Sequence, residues 1–435
     1  MAINLSNVTF TDQGDIIPPS GVEPIFVPSF ATINTLAGDD IINGGNNITG
    51  NYSFRNILGT LNTNSGNDII TGIYQYSSGI SSSGIVNRGT FDPSEAGFAT
   101  INSGDGNDTI TGISNSDGIE NIIGIIDTGD GNDMITGISG FGFGILTGAA
   151  TINTGNGDDI ITAMGGDTGI DSRVPTTIIT GDGNDIITAT GDSGWGILLL
   201  GGRIDTGEGN DIINGTGGTT GLVFSSPVFS EDIKSRINTG EGDDIISGTG
   251  GESGIASDYI DTGEGDDTIS GTGSEYGLGS GYINTGNGDD IISGAGSQGG
   301  IGSSYIDAGN GNDIITSIGV IYNGGVINTG DGNDSIIANE GLESGSNNSG
   351  AWFLGEGEDY IKGFGSGDFY GGNGNDTLEL TPGTYTVGIW GEGGESAIFT
   401  KANQLMITSE FEKLKAGNTL YDFTSLTAGQ IIVVA

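Results

Sequence analysis

Residues 283–292 read INTGNGDDII, and residues 371–380 read GGNGNDTLEL. Each stretch holds a Gly, any residue, a second Gly, an Asn or Asp, an obligatory Asp, and an aliphatic residue two places on. The phrase occurs fourteen times, closing on Asp40, Asp68, Asp108, Asp133, Asp159, Asp185, Asp211, Asp244, Asp267, Asp290, Asp313, Asp334, Asp359 and Asp376. Closely spaced glycines take positive φ without strain, so the chain can turn its carbonyls toward one point where the Asp carboxylate also arrives. Hard divalent cations want such an oxygen cage, and the phrase reads as a Ca²⁺-binding turn.

Ten of the thirteen spacings between neighbouring aspartates lie between 21 and 28 residues, the signature of a solenoid. Residues 245–313 contain three successive 23-residue coils that can be laid over one another. Each places Ile two residues after the Asp (Ile246, Ile269, Ile292), an aliphatic residue in mid-coil (Ile255, Leu278, Ile301), and another Ile before the next turn (Ile260, Ile283, Ile306). Three inward positions per coil, separated by small or polar residues, predict a thin β-coil around a stacked aliphatic core, each strand pairing in parallel with its counterpart about 4.8 Å away. Identical residues then form ladders: Tyr259, Tyr282 and Tyr305, and the polar series Asn238, Asp261, Asn284, Asp307 and Asn328. The longer spacings, 40 residues before Asp108 and 33 before Asp244, predict excursions near residues 77–93 and 219–234.

The predicted fold is all-β, a parallel β-solenoid of about fourteen coils with the turns stacked along one edge. It divides into an N-terminal cap or donor-strand segment (1–31), the solenoid (32–380) and a small β-rich C-terminal domain (381–435). The N-terminal segment has four prolines and an alternating Ile3, Leu5, Val8 and Phe10 stretch that predicts a strand; the C-terminal one carries Lys401, Lys413 and Lys415, three of only ten basic residues.

With 56 acidic residues the formal charge is −46, which excludes nucleic acid and anionic membranes as electrostatic partners. Self-repulsion of this size opposes compaction, so bound cations are expected to take part in folding. One Ca²⁺ in each of 13 gaps would bring the charge to about −20. No Cys is present, so neither disulfides nor thiol chemistry is available. No apolar run is long enough to span a bilayer as a helix. The start, MAINLSNVTFTDQGD, lacks the cationic and apolar stretches of a cleaved signal peptide, so export would use another route.

The repeats resemble the RTX, or hemolysin-type calcium-binding, family over about 80 per cent of the chain. The resemblance implies a right-handed parallel β-solenoid (β-roll or β-helix), with Ca²⁺ held between stacked turns by Asp carboxylates and Gly carbonyls. Carried over, the metal set is the fourteen aspartates with Gly104 and Gly106, Gly129 and Gly131, Gly155 and Gly157, Gly181 and Gly183, Gly207 and Gly209, Gly240 and Gly242, Gly263 and Gly265, Gly286 and Gly288, Gly309 and Gly311, Gly330 and Gly332, Gly355 and Gly357, and Gly372 and Gly374. Asp267 and Asp290 with the carbonyls of Gly263, Gly265, Gly286 and Gly288 would flank one ion. Two departures stand out: Thr or Ser replaces the family's first Gly in most copies, and one motif occurs per coil rather than in tandem. Calcium is therefore expected along one edge, in a wider coil. Copies 36–40 (LAGDD) and 64–68 (NSGND) lack the first of the two glycines and are expected to bind less tightly. The tip residues Asp105, Asp130, Asp182, Glu208, Glu241, Glu264 and Asp331 are expected to form an acidic ridge. The ending EKLKAGNTLYDFTSLTAGQIIVVA resembles the C-termini of RTX proteins exported by type I secretion and of cyanobacterial surface proteins.

Catalytic equipment is poor, with no His, no Cys and five scattered arginines (Arg55, Arg88, Arg173, Arg203, Arg236), so no enzyme is expected. The expected function is an extracellular, calcium-binding structural protein of the cell surface, self-assembling head to tail into a fibre or layer. Two alternatives remain: a calcium-stiffened adhesin that contacts surface polysaccharide, and a β-helix carbohydrate-active enzyme using Arg203 and Arg236.

Overall fold

The computed structural model describes residues 2–18, 23–45, 52–74, 82–93, 96–226, 235–344, 350–390 and 396–435. The chain forms two compact units, residues 1–240 with 247–250, and residues 241–246 with 251–435.

In the first unit a representative coil consists of strands Met134–Ser139, Phe143–Gly148 and Thr151–Asn153, followed by the turn that ends on Asp159. Every strand pairs in parallel with its counterparts in the coils before and after: Ile135 lies opposite Ile110 and Ile161, Ile145 opposite Ile119 and Ile170, and Ile152 opposite Ile126 and Ile178. These isoleucines are fully buried, so one Ile from each strand of each coil builds the core. The coil is thin where its first two strands face each other. A Cβ on Gly112 would lie 2.2 Å from the carbonyl oxygen of Gly118, and one on Gly137 2.2 Å from that of Gly144. Between strands a buried polar ladder runs from Asn56 to Asn87 to Asn121, each Nδ2 donating to the next Oδ1 at 2.9 Å.

Coils of the second unit merge two of the three strands into single nine-residue strands, Ser253–Asp261, Tyr276–Asn284 and Gly299–Asp307. The three inward positions expected from sequence are all buried: Ile246, Ile269 and Ile292, then Ile255, Leu278 and Ile301, then Ile260, Ile283 and Ile306, the last two series in register throughout. Tyr259, Tyr282 and Tyr305 stack with ring centroids 4.8 Å apart and planes within 5°. The polar ladder is one of pairs: Asn284 donates to Asp261 at 2.7 Å, Asn328 to Asp307 at 2.8 Å and, in the first unit, Asn238 to Asp205 at 2.9 Å.

The two ends differ. Near the N-terminus Ile3–Asn4 pairs in parallel with Ile25–Val27, and Ile16–Ile17 with Ile41–Gly44, so this segment is itself a coil. The alternating strand read from Ile3 to Phe10 does not form. Asn4 instead caps a 3-10 turn, Leu5–Asn7, by accepting the N–H of Ser6 at 3.0 Å, and Leu5 turns into the core. Near the C-terminus Gln404–Ser409 and Lys413–Ala416 add the last parallel rungs, on Gly367–Tyr370 and Thr377–Leu380. Their far edges are covered by antiparallel partners, Ser396–Lys401 and Thr419–Asp422. Of the expected excursions, residues 77–81 and 227–234 lie outside the described residues; the described remainder corrects the reading, because Ser83–Arg88 and Thr220–Ser225 are parallel rungs of the solenoid.

Candidate metal centre

The turn Asp261–Asp267 shows how sequence builds the site. Gly263 and Gly265 take φ of 96° and 133°, and their counterparts one coil on, Gly286 and Gly288, take 91° and 142°. A Cβ on Gly286 would lie 1.6 Å from the Gly263 carbonyl oxygen, and one on Gly288 2.0 Å from that of Gly265. Stacking at one rung per coil therefore demands glycine twice over, for conformation and for space. In the two copies without the first glycine, Leu36 and Asn64 adopt φ of 75° and 72°, so the turn is kept and the residue bears the strain.

The last two residues of the phrase reach in opposite directions along the stack. Asp290 reaches back, its Oδ1 accepting the main-chain N–H of Asp267 at 2.8 Å, as Asp267 does from Asp244 at 2.8 Å. Asp289 reaches forward, accepting the N–H of Asn312 at 2.7 Å. In the first unit Asp133 accepts from Asp108 at 2.7 Å, and Asn132 from Asp158 at 3.2 Å. The forward position is exposed and is filled by Asn or Asp alike, and once by Glu358. The backward position is buried at every repeat and is always Asp.

An Asn amide could accept at Oδ1 equally well, so the choice of Asp must rest on its second oxygen. In Asp40, Asp68, Asp108, Asp133, Asp159, Asp185, Asp267, Asp290, Asp313, Asp334, Asp359 and Asp376, Oδ2 is buried and accepts no hydrogen bond. Asp211 and Asp244 occupy the same buried position. Loss of hydration pushes the carboxyls of Asp68 and Asp108 up to about 6, those of Asp159, Asp267, Asp290 and Asp359 to about 7, and that of Asp313 to about 8. A hydroxyl nearby softens the effect: Thr63 beside Asp68, Thr128 beside Asp133, Thr285 beside Asp290. Those hydroxyls do not satisfy Oδ2, because each donates to a carbonyl one coil on: Thr63 to Ser103, Thr128 to Thr154, Thr285 to Ala308, at 3.1–3.2 Å. Asp313 has Ala308 where its neighbours have Thr.

Among the described residues no three His, Cys, Asp or Glu side chains gather into a metal-binding group. A cation in these turns would meet isolated carboxylates, with main-chain oxygens completing its shell. The two glycines of each phrase then part company. In the second unit the carbonyls of Gly263, Gly286 and Gly309 accept N–H groups of Asn287, Asn310 and Asp331 at 3.0–3.3 Å. The carbonyls of Gly265, Gly288 and Gly311 receive no main-chain N–H among the described residues. In the turns that close on Asp267, Asp290 and Asp313 a buried, undonated carboxylate oxygen occurs together with a carbonyl that no main-chain N–H reaches, a donor set that fits a hard cation. Bound there, Ca²⁺ would supply the positive charge that the carboxylates lack.

The tip residues Asp105, Asp130, Asp182, Glu208, Glu241, Glu264 and Asp331 are exposed, as an acidic ridge requires. Arg203 and Arg236 sit opposite each other on neighbouring coils, Arg203 with Asp205 3.9 Å away. Two site residues escaped the sequence reading. Asp15 donates its main-chain N–H to Asp40 at 2.8 Å, while its own Oδ2 accepts from Thr11 at 2.8 Å; the string GDII at residues 14–17 marks it. Glu412 accepts the N–H of Asp376 at 2.8 Å, in the place of a next Asp. No motif announces that Glu.

No protein-family model and no curated protein matches the chain. Among solved structures it is similar to a hyperactive, Ca²⁺-dependent, β-helical antifreeze protein from an Antarctic bacterium, with TM-score 0.43 and 18% identity over 97% of this chain and 93% of that one. By its own strand pairing the chain is an all-β parallel solenoid, with a buried carboxylate in every turn.

Proposed function

We propose that this chain is a calcium-binding structural protein of the cell surface, exported and self-assembling, whose coils are held together by cations in the turns. One observation carries the reading: fourteen times the buried turn position is Asp, although Asn would make the same Oδ1 hydrogen bond. An uncompensated buried carboxylate is costly once, and repeating it makes sense only with a cation to compensate it. The absence of Cys, the millimolar calcium outside cells and the RTX-like turns and C-terminus support an extracellular setting.

Circular dichroism and electron microscopy of the full chain in millimolar Ca²⁺, and again after chelation, test this. The expected result is β signal and assemblies in calcium, both lost with chelator. A chain equally folded and dispersed under both conditions would overturn the proposal.

A further inference from the structure

We infer that the outward face of the sheet that follows the turns, in the first unit, is a contact surface for the same face of a second copy of this chain; the inference rests on the self-assembling reading above and deepens it. The seven strands involved are Ile41–Gly44, Ile69–Tyr74, Thr109–Ser114, Met134–Ser139, Ile160–Gly165, Ile186–Gly191 and Ile212–Gly217. In a chain of net charge −46 they contain no charged residue at all. Alternate residues face outward in three columns. Asn43, Thr71, Thr111, Thr136, Thr162, Thr188 and Asn214 stack in register down the middle, between a column that begins with Ile41 and one that begins with Ile73. Met134 and Met164 are 41% and 48% exposed in those flanking columns. The unit's other two strand ladders do carry charge, Asp127, Arg203 and Asp205 on one and the buried Glu120 and Asp171 on the other.

Three arguments select a second copy as the occupant. Strands about 4.8 Å apart and six residues long make this face roughly 600 Å², so two copies would bury roughly 1,200 Å², within the range of specific interfaces. The columns repeat once per coil, and only an identical face offers Thr and Ile at the same pitch, the condition for dry interdigitation of paired sheets. Finally, two strongly acidic chains can approach closely only where neither presents carboxylates.

Sedimentation velocity and light scattering on the full chain in calcium should give twice the monomer mass. A Thr136→Lys, Thr162→Lys variant, with a melting profile in calcium like that of the parent, should be monomeric at the same concentration. Each pair would bury four unpartnered ammonium groups, weakening association by about a hundredfold or more. A second variant keeps the test open should the lysines disturb folding. The chain has no Cys, so Thr136→Cys introduces a single thiol at the centre of the face, and mild oxidation should link it to its counterpart. A monomeric parent, pairing that survives both lysines, or a Thr136→Cys chain that does not cross-link would each overturn the inference. Loss of calcium dependence would instead sink the functional reading alone, since mass and cross-linking are read on the folded chain in either condition.

Discussion

At the scale of single residues, the buried aspartates make opposite predictions with and without metal. Asp290→Asn keeps the acceptor for the N–H of Asp267 and replaces the undonated oxygen by an amide. In chelator the variant should melt no lower than the parent, because a desolvated carboxylate has gone. In calcium it should lose about 1–3 kcal/mol, because a ligand has gone. Thermal melts in the two buffers check both signs. The raised carboxyls add a pH dependence. Between the unfolded value near 4 and folded values of about 6 to 8, the folded state holds the extra protons. Without calcium, stability should therefore be greatest near pH 4–5 and fall as pH rises to about 8; saturating calcium should abolish the fall. A metal-free chain that gains stability over that range would contradict the burial argument. Ala308→Thr should supply the hydroxyl that neighbouring coils have, lower the carboxyl of Asp313 and stabilise by about 1 kcal/mol, read by chemical denaturation.

At the scale of elements, much was legible and the reasons are specific. Ile246, Ile255 and Ile260 recur at 23-residue intervals, so the inward positions, the parallel pairing and the Tyr259–Tyr282–Tyr305 stack could all be read before any coordinates. The position of every buried Asp was equally plain. Its bonding was not, because sequence gives no direction: that Asp reaches back while the preceding Asn or Asp reaches forward depends on carbonyl and N–H orientation in a turn. Nor could composition reveal why Thr precedes the first turn glycine in most repeats; the hydroxyl serves the next coil's carbonyl. The N-terminal strand failed as a reading because one Asn side chain captured the N–H of Ser6 and started a tight turn. Turn glycines provide the test at this scale. Gly286→Ala should cost at least about 3 kcal/mol, having both the wrong φ and a carbonyl within bonding distance of the new methyl. Leu36→Gly should gain about 1 kcal/mol by relieving a left-handed Leu. Equal, small effects for the two would show that the turns are not strained as described.

At the scale of the whole molecule, the question is what stops a stack of identical rungs from growing. The rungs Gly367–Tyr370 and Thr377–Leu380 are followed by strands whose outer edges are taken by antiparallel partners, and Glu412 fills the place of a further Asp. Deleting residues 381–435 would bare both rungs. The truncated chain should aggregate in calcium, seen as rising light scattering, while the full chain keeps a finite assembly size; a truncated chain that stays dispersed would remove the capping role. Among the described residues the strands Ile3–Asn4 and Ile16–Ile17 at the other end are only two residues long, a poor template for edge pairing.

Thr11 and Glu412 close the carboxylate series locally, and everything between them repeats one bonding rule, so the number of coils is not written into either terminus. Removing residues 268–290 would set Asp267 against Asp313 and Ile291 directly after Asp267, in the register that Thr268 and Ile291 already share. Gene duplication or loss of such a segment would change length in whole steps without redesigning any junction. The three equal spacings of 23 residues between Asp244 and Asp313 have the form such steps would give: a ruler whose divisions can be added or struck out singly, each new one bringing its own buried carboxylate.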